Sequence, residues 1–476
     1  MKIIGRIEEQ QKLKYILESK KAEFVVVYGR RRVGKTYLIK EYFNDSFSFY
    51  TSGVLSKKMN EELYAFNKSL ISYGCKDKKN PKNWFDAFEK LKKMIEDGTI
   101  KTDKRYNKKV IFLDELPWFD TPKSDFKGAF DFFWNTYASR LDDLVLIVCG
   151  SATSWILNNL LNDKGGFHNR VTSKIYLKPF NLLQVEELVN GVNGNNLSRK
   201  EIIDTYMIFG GIPYYLNFIN PNFSLMQNID NLFFKEGGEL ENEFSNLFSS
   251  LFSNYENHSK VIIALSKKRM GLTRKEILNS TKLSSGSSFS KVLLELEQCG
   301  FIRKFNDYRK KQNESLYQII DPFVLFSLNY LKERKFSSWV NYVGQSGYNS
   351  WSGYAFEIVC LNHINQIKDA LGISGIDSLD YSFYSNKEDG AQIDLLIDRR
   401  DNVINLCEIK YNSSAFVIDQ KYEELLMNKV RVFSKMSKTK KAIIITFITL
   451  NGVAKNKHSS IVRKEILAEN LFRWEW

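Results

Sequence analysis

Phe24-Val-Val-Val-Tyr-Gly29-Arg-Arg-Arg-Val-Gly34-Lys35-Thr36 joins an apolar strand to a glycine-bounded loop and the start of a helix. Its last eight residues match G-x-x-x-x-G-K-[ST] in the strand-to-helix context that gives the pattern meaning. The glycines permit backbone angles that turn successive N–H groups toward a β-phosphate. Lys35 reaches the β and γ oxygens, the Thr36 hydroxyl ligates Mg²⁺, and the helix N-terminus adds its dipole. ATP with Mg²⁺ is the expected ligand. Gly29, Arg31, Val33, Gly34, Lys35, Thr36 and the adjoining Tyr37 are the expected nucleotide-binding residues, and Lys35 is also expected to serve catalysis.

Downstream, Val110-Ile-Phe-Leu-Asp114-Glu115 is a buried strand ending in two acids. Asp114 suits a water-mediated contact to Mg²⁺, and Glu115 can polarise the attacking water. Leu144-Val-Leu-Ile-Val-Cys-Gly-Ser151 ends a further strand in a small polar residue, where a γ-phosphate sensor would sit. Phe47–Thr51 and Lys174–Leu177 also read as strands. Lys35–Phe43, Met59–Tyr73, Trp84–Glu96 and Phe126–Leu141 read as helices between them. That alternation predicts an α/β fold, with a parallel sheet carrying helices on both faces.

At 476 residues the chain exceeds what one core can organise, so about three domains are expected at roughly 150 residues each. With 43% apolar and 26% charged residues, a largely disordered chain is excluded. The five scattered cysteines include no CxxC pair, which suits a reducing compartment better than a disulfide scaffold. The first ten residues turn charged at once, unlike a signal peptide. The longest apolar run, Ala442–Leu450, is half of the ~18 residues a membrane span needs. A soluble cytoplasmic protein is expected, with no membrane partner. The net charge of +14 is concentrated: residues 259–335 carry sixteen Lys/Arg against seven Asp/Glu. Such a cluster attracts polyanions through counterion release, although a merely solvated lysine-rich surface has the same composition.

The motifs Ile4-Gly5-Arg6-x-x-Glu9, Tyr28-Gly-Arg-Arg-Arg-Val-Gly-Lys-Thr36, Leu177-Lys-Pro-Phe180 and Phe209-Gly-Gly-Ile-Pro-Tyr-Tyr-Leu216 resemble the archaeal-type ATPase family of AAA+/STAND-like P-loop proteins. The resemblance places Arg6 at the nucleotide. It also equates Arg170, in His168-Asn-Arg170-Val-Thr, with the family's arginine before Leu-x-Pro-Phe. That guanidinium would stabilise charge on the γ-phosphate. The family more often has Gly-Arg where this chain has Asn169-Arg170, so a different local turn is expected. Many members continue into a winged helix and a C-terminal domain similar to PD-(D/E)XK nucleases.

The residues from 259 to about 320 read as a helix (Lys260–Ser266), the capping-box sequence Thr273-Arg-Lys-Glu276, a second helix over Ser288–Cys299 and two strands around a charged tip. At this scale helix–helix–hairpin is a winged helix. Its candidate recognition helix is net acidic, while Lys267-Lys-Arg269, Arg274-Lys275, Arg303-Lys304 and Arg309-Lys-Lys311 flank it. Phosphate contact without sequence readout is therefore expected, DNA favoured, against the alternative of an interdomain brace.

Near the C-terminus, Ala391-Gln-Ile-Asp394-Leu-Leu-Ile and Val403-Ile-Asn-Leu-Cys-Glu408-Ile-Lys410-Tyr411 form a hairpin with charges set among apolar residues. Strand alternation puts Glu408 and Lys410 on one face. Asp-x13-Glu-x-Lys resembles the PD-(D/E)XK arrangement. By that resemblance Asp394 and Glu408 would ligate Mg²⁺, Lys410 would activate water, and Glu357 would be an extra acid. A structural contact between Glu408 and Lys410 is the alternative. The expected organisation is a P-loop core at 1–180, a helical lid at 181–255, a winged helix at 256–335 and a mixed α/β nuclease-like domain at 336–476. The expected function is ATP hydrolysis gating action on nucleic acid, with a metal-dependent nuclease activity in the last domain. The alternatives are a nucleotide-dependent DNA-binding regulator and a protein-remodelling ATPase; an oligomer or a protein partner is compatible with each.

Overall fold

The apolar runs of the first 180 residues become strands β1 (Glu23–Gly29), β2 (Phe49–Ser52), β3 (Lys109–Asp114), β4 (Leu144–Gly150) and β5 (Ser173–Leu177). They form one parallel sheet in the order β2-β3-β4-β1-β5. Helices α1 (Ile7–Glu18), α2 (Lys35–Tyr42), α3 (Met59–Ser72), α4 (Trp84–Glu96) and α5 (Phe126–Thr136) accompany it. Every residue of β4 and all of β1 except Tyr28 are buried, as a sheet covered on both faces requires. One face is sealed by aromatic packing: Phe24 meets Phe130 edge-on at 5.7 Å and Trp84 meets Phe126 at 4.9 Å.

This computed structural model describes residues 3–55, 58–151, 153–161, 169–252, 254–306, 308, 315–331, 338–385 and 390–473. Two compact units, Met1–Lys178 and Pro179–Trp476, make up the chain. Among the described residues no helix is long and apolar enough to cross a membrane.

The second unit opens with short helical turns and α6 (Arg199–Phe209), whose N-terminus is a capping box between Ser198 and Glu201. Gly210, at φ 63°, ends it. Here two separate sequence motifs meet: Phe180 N donates to Gly211 O at 2.7 Å. A Cβ on Gly211 would lie 1.9 Å from Phe180 O. Gly211→Ala must therefore push two backbones apart, and we expect a loss of about 3 kcal/mol or more, read as a lowered thermal midpoint. An unchanged midpoint would contradict this packing.

Then follow α7 (Glu243–Leu251), α8 (Tyr255–Ser266), β6 (Leu272–Thr273), α9 (Arg274–Thr281), α10 (Ser287–Gln298), β7 (Ile302–Phe305) and β8 (Leu316–Ile319). The three strands form an antiparallel sheet ordered β6-β8-β7. The Thr273/Glu276 capping box is formed in full. Helix α8 starts five residues before the Lys260 expected from sequence. His258 explains the extension: its ring stacks on Phe252 at 3.8 Å and its Nε2 lies 2.8 Å from Glu295 on α10. Tertiary packing thus holds a first turn, Tyr-Glu-Asn-His, that propensity leaves weak.

The last part contains α11 (Ser346–Asn362), α12 (Ile364–Ala370), β9 (Ser378–Ser385), β10 (Ala391–Arg399), β11 (Val403–Lys410), α13 (Gln420–Ser437), β12 (Ala442–Thr449) and β13 (Lys464–Leu467). The sheet order is β13-β12-β11-β10-β9, antiparallel from β9 to β11 and parallel from β11 to β13. The segments separated in the sequence at 181–255, 256–335 and 336–476 pack into this one unit. Leu182 N donates to His363 Nε2 at 2.9 Å, and the Tyr411 hydroxyl bonds Asp204. Tyr308, beyond β7, donates its N–H to Ser382 O at 3.2 Å, and its ring packs on Tyr381 and Phe433. The base of the charged tip is therefore docked on the last sheet. Arg309, Lys310, Lys311 and His168 lie outside the described residues.

Candidate functional site and a second acidic cluster

Parallel strands deliver their C-terminal ends to one edge of the sheet, and the crevice there is where α/β folds bind ligands. Gly29 closes β1 at φ 146°, beside β5; a Cβ at this position would lie 2.3 Å from Leu177 O. Only glycine fits, so the sequence requirement is steric. Arg32 takes φ 71°, and Gly34 takes φ 91° with no side-chain cap on α2. The α2 N-terminus is thus left to its own N–H groups, the arrangement that attracts an anion.

Lys35 is buried, and its Nζ donates to two carbonyls of its own loop, Gly29 O at 3.1 Å and Arg30 O at 3.0 Å. Thr36 Oγ1 donates to Asp114 Oδ1 at 3.1 Å, tying the loop to the end of β3. The same Asp114 oxygen accepts from Glu115 N at 2.9 Å and from the Cys149 thiol on β4. Complete burial, and then the neighbouring Asp114, push that thiol well above its ordinary range and keep it a neutral donor. Glu115 sits in the left-handed region at φ 47°, and its Oε2 accepts from Ser151 N at 3.1 Å and Oγ at 2.9 Å. Three strand ends therefore bring Thr36, Asp114, Glu115 and Ser151 into one hydrogen-bonded chain beside Lys35. Thr36 and Asp114 present hard oxygen donors of the kind Mg²⁺ takes, so the residues fit that ion.

The other expected residues take different places. Arg6, buried at φ 54°, donates from Nη2 to Val33 O at 3.3 Å and approaches Glu9 at 3.8 Å, bracing the loop from behind. Val33 is core. Arg31 is half-buried and Tyr37 exposed at the start of α2. Arg170 is exposed and precedes β5, whose first residue Ser173 pairs with Val25. Thr172 N bonds Phe24 O, five strand residues from Leu177, or roughly 16 Å at 3.3 Å per residue. The fold thus sets Arg170 at the opposite end of the sheet from the glycine loop of its own chain. Its position in a motif gave no hint of which end of the strand it occupies. Sequence reasoning also missed Cys149; its only signal was a strand-end thiol one strand from an acid.

The second cluster lies on β10 and β11. Leu395 pairs with Cys407, so the next step of the antiparallel register faces Asp394 with Glu408. Glu408 is 1% exposed and fully engaged: Lys410 Nζ at 2.9 Å, Lys429 Nζ at 2.7 Å and the Tyr422 hydroxyl at 2.6 Å. Burial would raise its pKa, but Lys429 and Lys410 outweigh it and hold the carboxyl below the usual range. Among the described residues no such cation lies at bonding distance of Asp394; Gln392 Nε2 donates to it at 2.9 Å. Burial and then Glu408 raise its pKa. Glu357, on α11, is raised well above the ordinary value by burial and then by Asp394. The structure brings Glu357, Asp394, Glu408 and Lys410 together, yet it divides them into a satisfied ion cluster and two strained acids. Among the described residues no group of three or more His, Cys, Asp or Glu is gathered to hold a metal ion. Glu408 spends both oxygens on two lysines and a tyrosine. Tyr422 and Lys429, seven apart on one face of α13, went unread because nothing in the hairpin sequence points to a distant helix.

Residues 4–219 match the family described as an ATPase domain predominantly from Archaea. An uncharacterised protein of Methanocaldococcus jannaschii is 24% identical over 381 residues, spanning 76% of this chain and 79% of its own length. Among solved structures, the Walker-type ATPase of Pyrococcus abyssi is similar with a TM-score of 0.46 and 17% identity, covering 69% of this chain and 96% of that one. The ORC2 protein of Aeropyrum pernix, in ADPNP–ADP complexes, gives 0.42 and 11%, covering 69% and 93%. The part of the chain from residue 4 to 219 is thus similar to an archaeal-type ATPase domain.

Proposed function

We propose that this protein binds ATP with Mg²⁺ at the glycine loop, hydrolyses it, and uses the cycle to control a grip on nucleic acid, DNA favoured. The observation that carries the reading is the chain Thr36–Asp114–Glu115–Ser151 beside Lys35. Bound Mg²⁺ would neutralise phosphate charge, with Thr36 and Asp114 holding it. Lys35 turns from its loop carbonyls to the phosphate oxygens. Glu115, aimed by Ser151, orients the attacking water and takes its proton. Ser151, tied to that carboxylate, is suited to register whether a γ-phosphate is present. Arg6 holds the loop's shape, and Arg170 is assigned to a γ-phosphate other than its own chain's, which implies an oligomer.

Support for nucleic acid comes from the basic segment 259–335 and from the order helix, strand, helix, helix, strand, strand, which is that of a winged helix. Helix α10 offers no array of base-reading side chains, since Lys291 lies 3.9 Å from Glu295. The docking of Tyr308 gives the hairpin a bracing role as well. A labelled duplex and a single strand, titrated at several salt concentrations with and without ATP, test the grip. We expect affinity indifferent to sequence, steep in salt and changed by ATP; salt-independent or absent binding would leave only the ATPase.

A second reading, a PD-(D/E)XK-like nuclease, is favoured by the meeting of Glu357, Asp394, Glu408 and Lys410. Asp394 and Glu408 would hold the ion and Lys410 a water. As they stand these residues do not fit a metal, because Glu408 belongs to Lys429 and Lys410. The C-terminal unit is therefore assigned to binding rather than cutting. Cleavage of DNA or RNA in Mg²⁺ or Mn²⁺ that Asp394→Asn abolishes would reverse that assignment.

A further inference from the structure

Beside the acidic cluster, within the same unit, lies a pocket of about 280 Å³ walled by Tyr330, Tyr342, Trp351 and Tyr354, with Arg269 and Ser350 among its lining. Its volume is near the small end of ligand sites, about 300–1,000 Å³, enough for one base and its sugar. Tyr330, Trp351 and Tyr354 are each no more than 5% exposed, whereas Arg269 and Ser350 are exposed and form the rim. Arg269 is held in place. Its carbonyl accepts from Gln318 Nε2 at 2.7 Å and from the Tyr354 hydroxyl at 3.3 Å, and its Nη2 donates to Ser350 Oγ at 2.6 Å. Its guanidinium lies 5.4 Å from the Tyr354 ring centre. The Trp351 indole N–H is buried with no hydrogen-bond partner among the described residues, which a finished core seldom leaves. Ser350, Trp351 and Tyr354 are spaced to lie along one face of α11, and Glu357 follows Tyr354 by three residues on that face. The Arg269 charge reaches Glu357, opposing the effect of its burial.

We propose that this pocket takes one nucleotide unit of a nucleic-acid strand, its base against the aromatic walls and its phosphate on Arg269. The chemistry is that of single-strand sites: aromatic faces tolerate any base, and a rim cation tracks the backbone. The inference rests on the reading that this unit grips nucleic acid.

The test uses the full chain carrying Lys35→Ala, so that the glycine loop does not take up nucleotide, in EDTA. Binding of dTMP and of the oligonucleotide (dT)10 is measured by calorimetry and anisotropy. Arg269→Gln removes the rim charge, and Ser350→Phe fills the pocket from its exposed edge without touching the core. Lys455→Gln, at an exposed residue outside the pocket and the basic segment, is the control. We expect (dT)10 to bind more tightly than dTMP, both rim variants to weaken each by about ten-fold or more, and the control to change dTMP binding little. Parental affinities in both rim variants would overturn the site. A dTMP affinity equal to that of (dT)10 would overturn the strand assignment in favour of a free nucleotide. Failure of the broader reading looks different: (dT)10 binding would then be absent from every protein, the parent included.

Discussion

Glu115→Gln is expected to bind ATP at parental affinity while its hydrolysis falls by about 10²–10⁴-fold, the usual worth of a positioned general base. The substitution isolates chemistry from structure. A glutamine amide oxygen can still accept from Ser151 N and Oγ, which lie 3.1 and 2.9 Å from Glu115 Oε2. What disappears is the negative charge that polarises water. Phosphate release under saturating ATP, measured beside an ATP titration, separates the two effects. Unchanged turnover would remove Glu115 from the mechanism. Ser151→Ala should show a milder loss, because the carboxylate keeps its backbone partner when the hydroxyl is gone.

Neutralising the two facing acids of the C-terminal hairpin should have opposite consequences. Glu408→Gln leaves Lys429, at 11% side-chain exposure, without its counter-charge, and should destabilise the second unit by about 3–5 kcal/mol. Asp394→Asn removes a carboxylate that burial and Glu408 both disfavour, and should hold or raise the melting temperature. The pH dependence follows from the same directions. The folded pKa values of Asp394 and Glu357 are raised, so their protonated forms stabilise the fold. That contribution is complete below the ordinary carboxylate range and is lost as pH rises through the folded values. The Glu408 value is lowered, so its contribution is present above the ordinary range and is lost as pH falls through the folded value. Melts of the three proteins across pH, in EDTA, should show Asp394→Asn losing less stability than wild type on the alkaline side and Glu408→Gln on the acid side. Equal shifts for both variants would contradict the division between them. With Glu408 held by lysines, millimolar Mg²⁺ should leave the wild-type melt in place.

The nucleotide loop was legible in the sequence because its demands are local: Gly29 and Gly34 take backbone angles other residues resist, and a strand and a helix flank them. The meeting of Asp114, Glu115 and Ser151 was legible for a related reason. In a parallel sheet every strand end arrives at the same edge, so order along the chain stands in for proximity. Arg170 shows the limit of that argument, since a motif fixes a residue's place in the chain and not the end of the strand it occupies. The hairpin was read as two strands correctly, but its chemistry was decided by α13, whose Tyr422 and Lys429 lie outside any motif. The start of α8 was misplaced because contacts of His258 with Phe252 and Glu295 are long-range facts. The meeting of Phe180 with Gly211 had a signal, two glycines before Ile-Pro, but nothing in the sequence names the partner.

Titration of the protein with ATP in Mg²⁺ by calorimetry, wild type against Lys35→Ala, tests the central claim most directly. Lys35 is a buried cation of the loop, and a phosphate cluster seated there loses its main counter-charge when it is removed. Saturable binding by wild type and none by Lys35→Ala is the expected result; equal affinity in the two would contradict the assignment of the site.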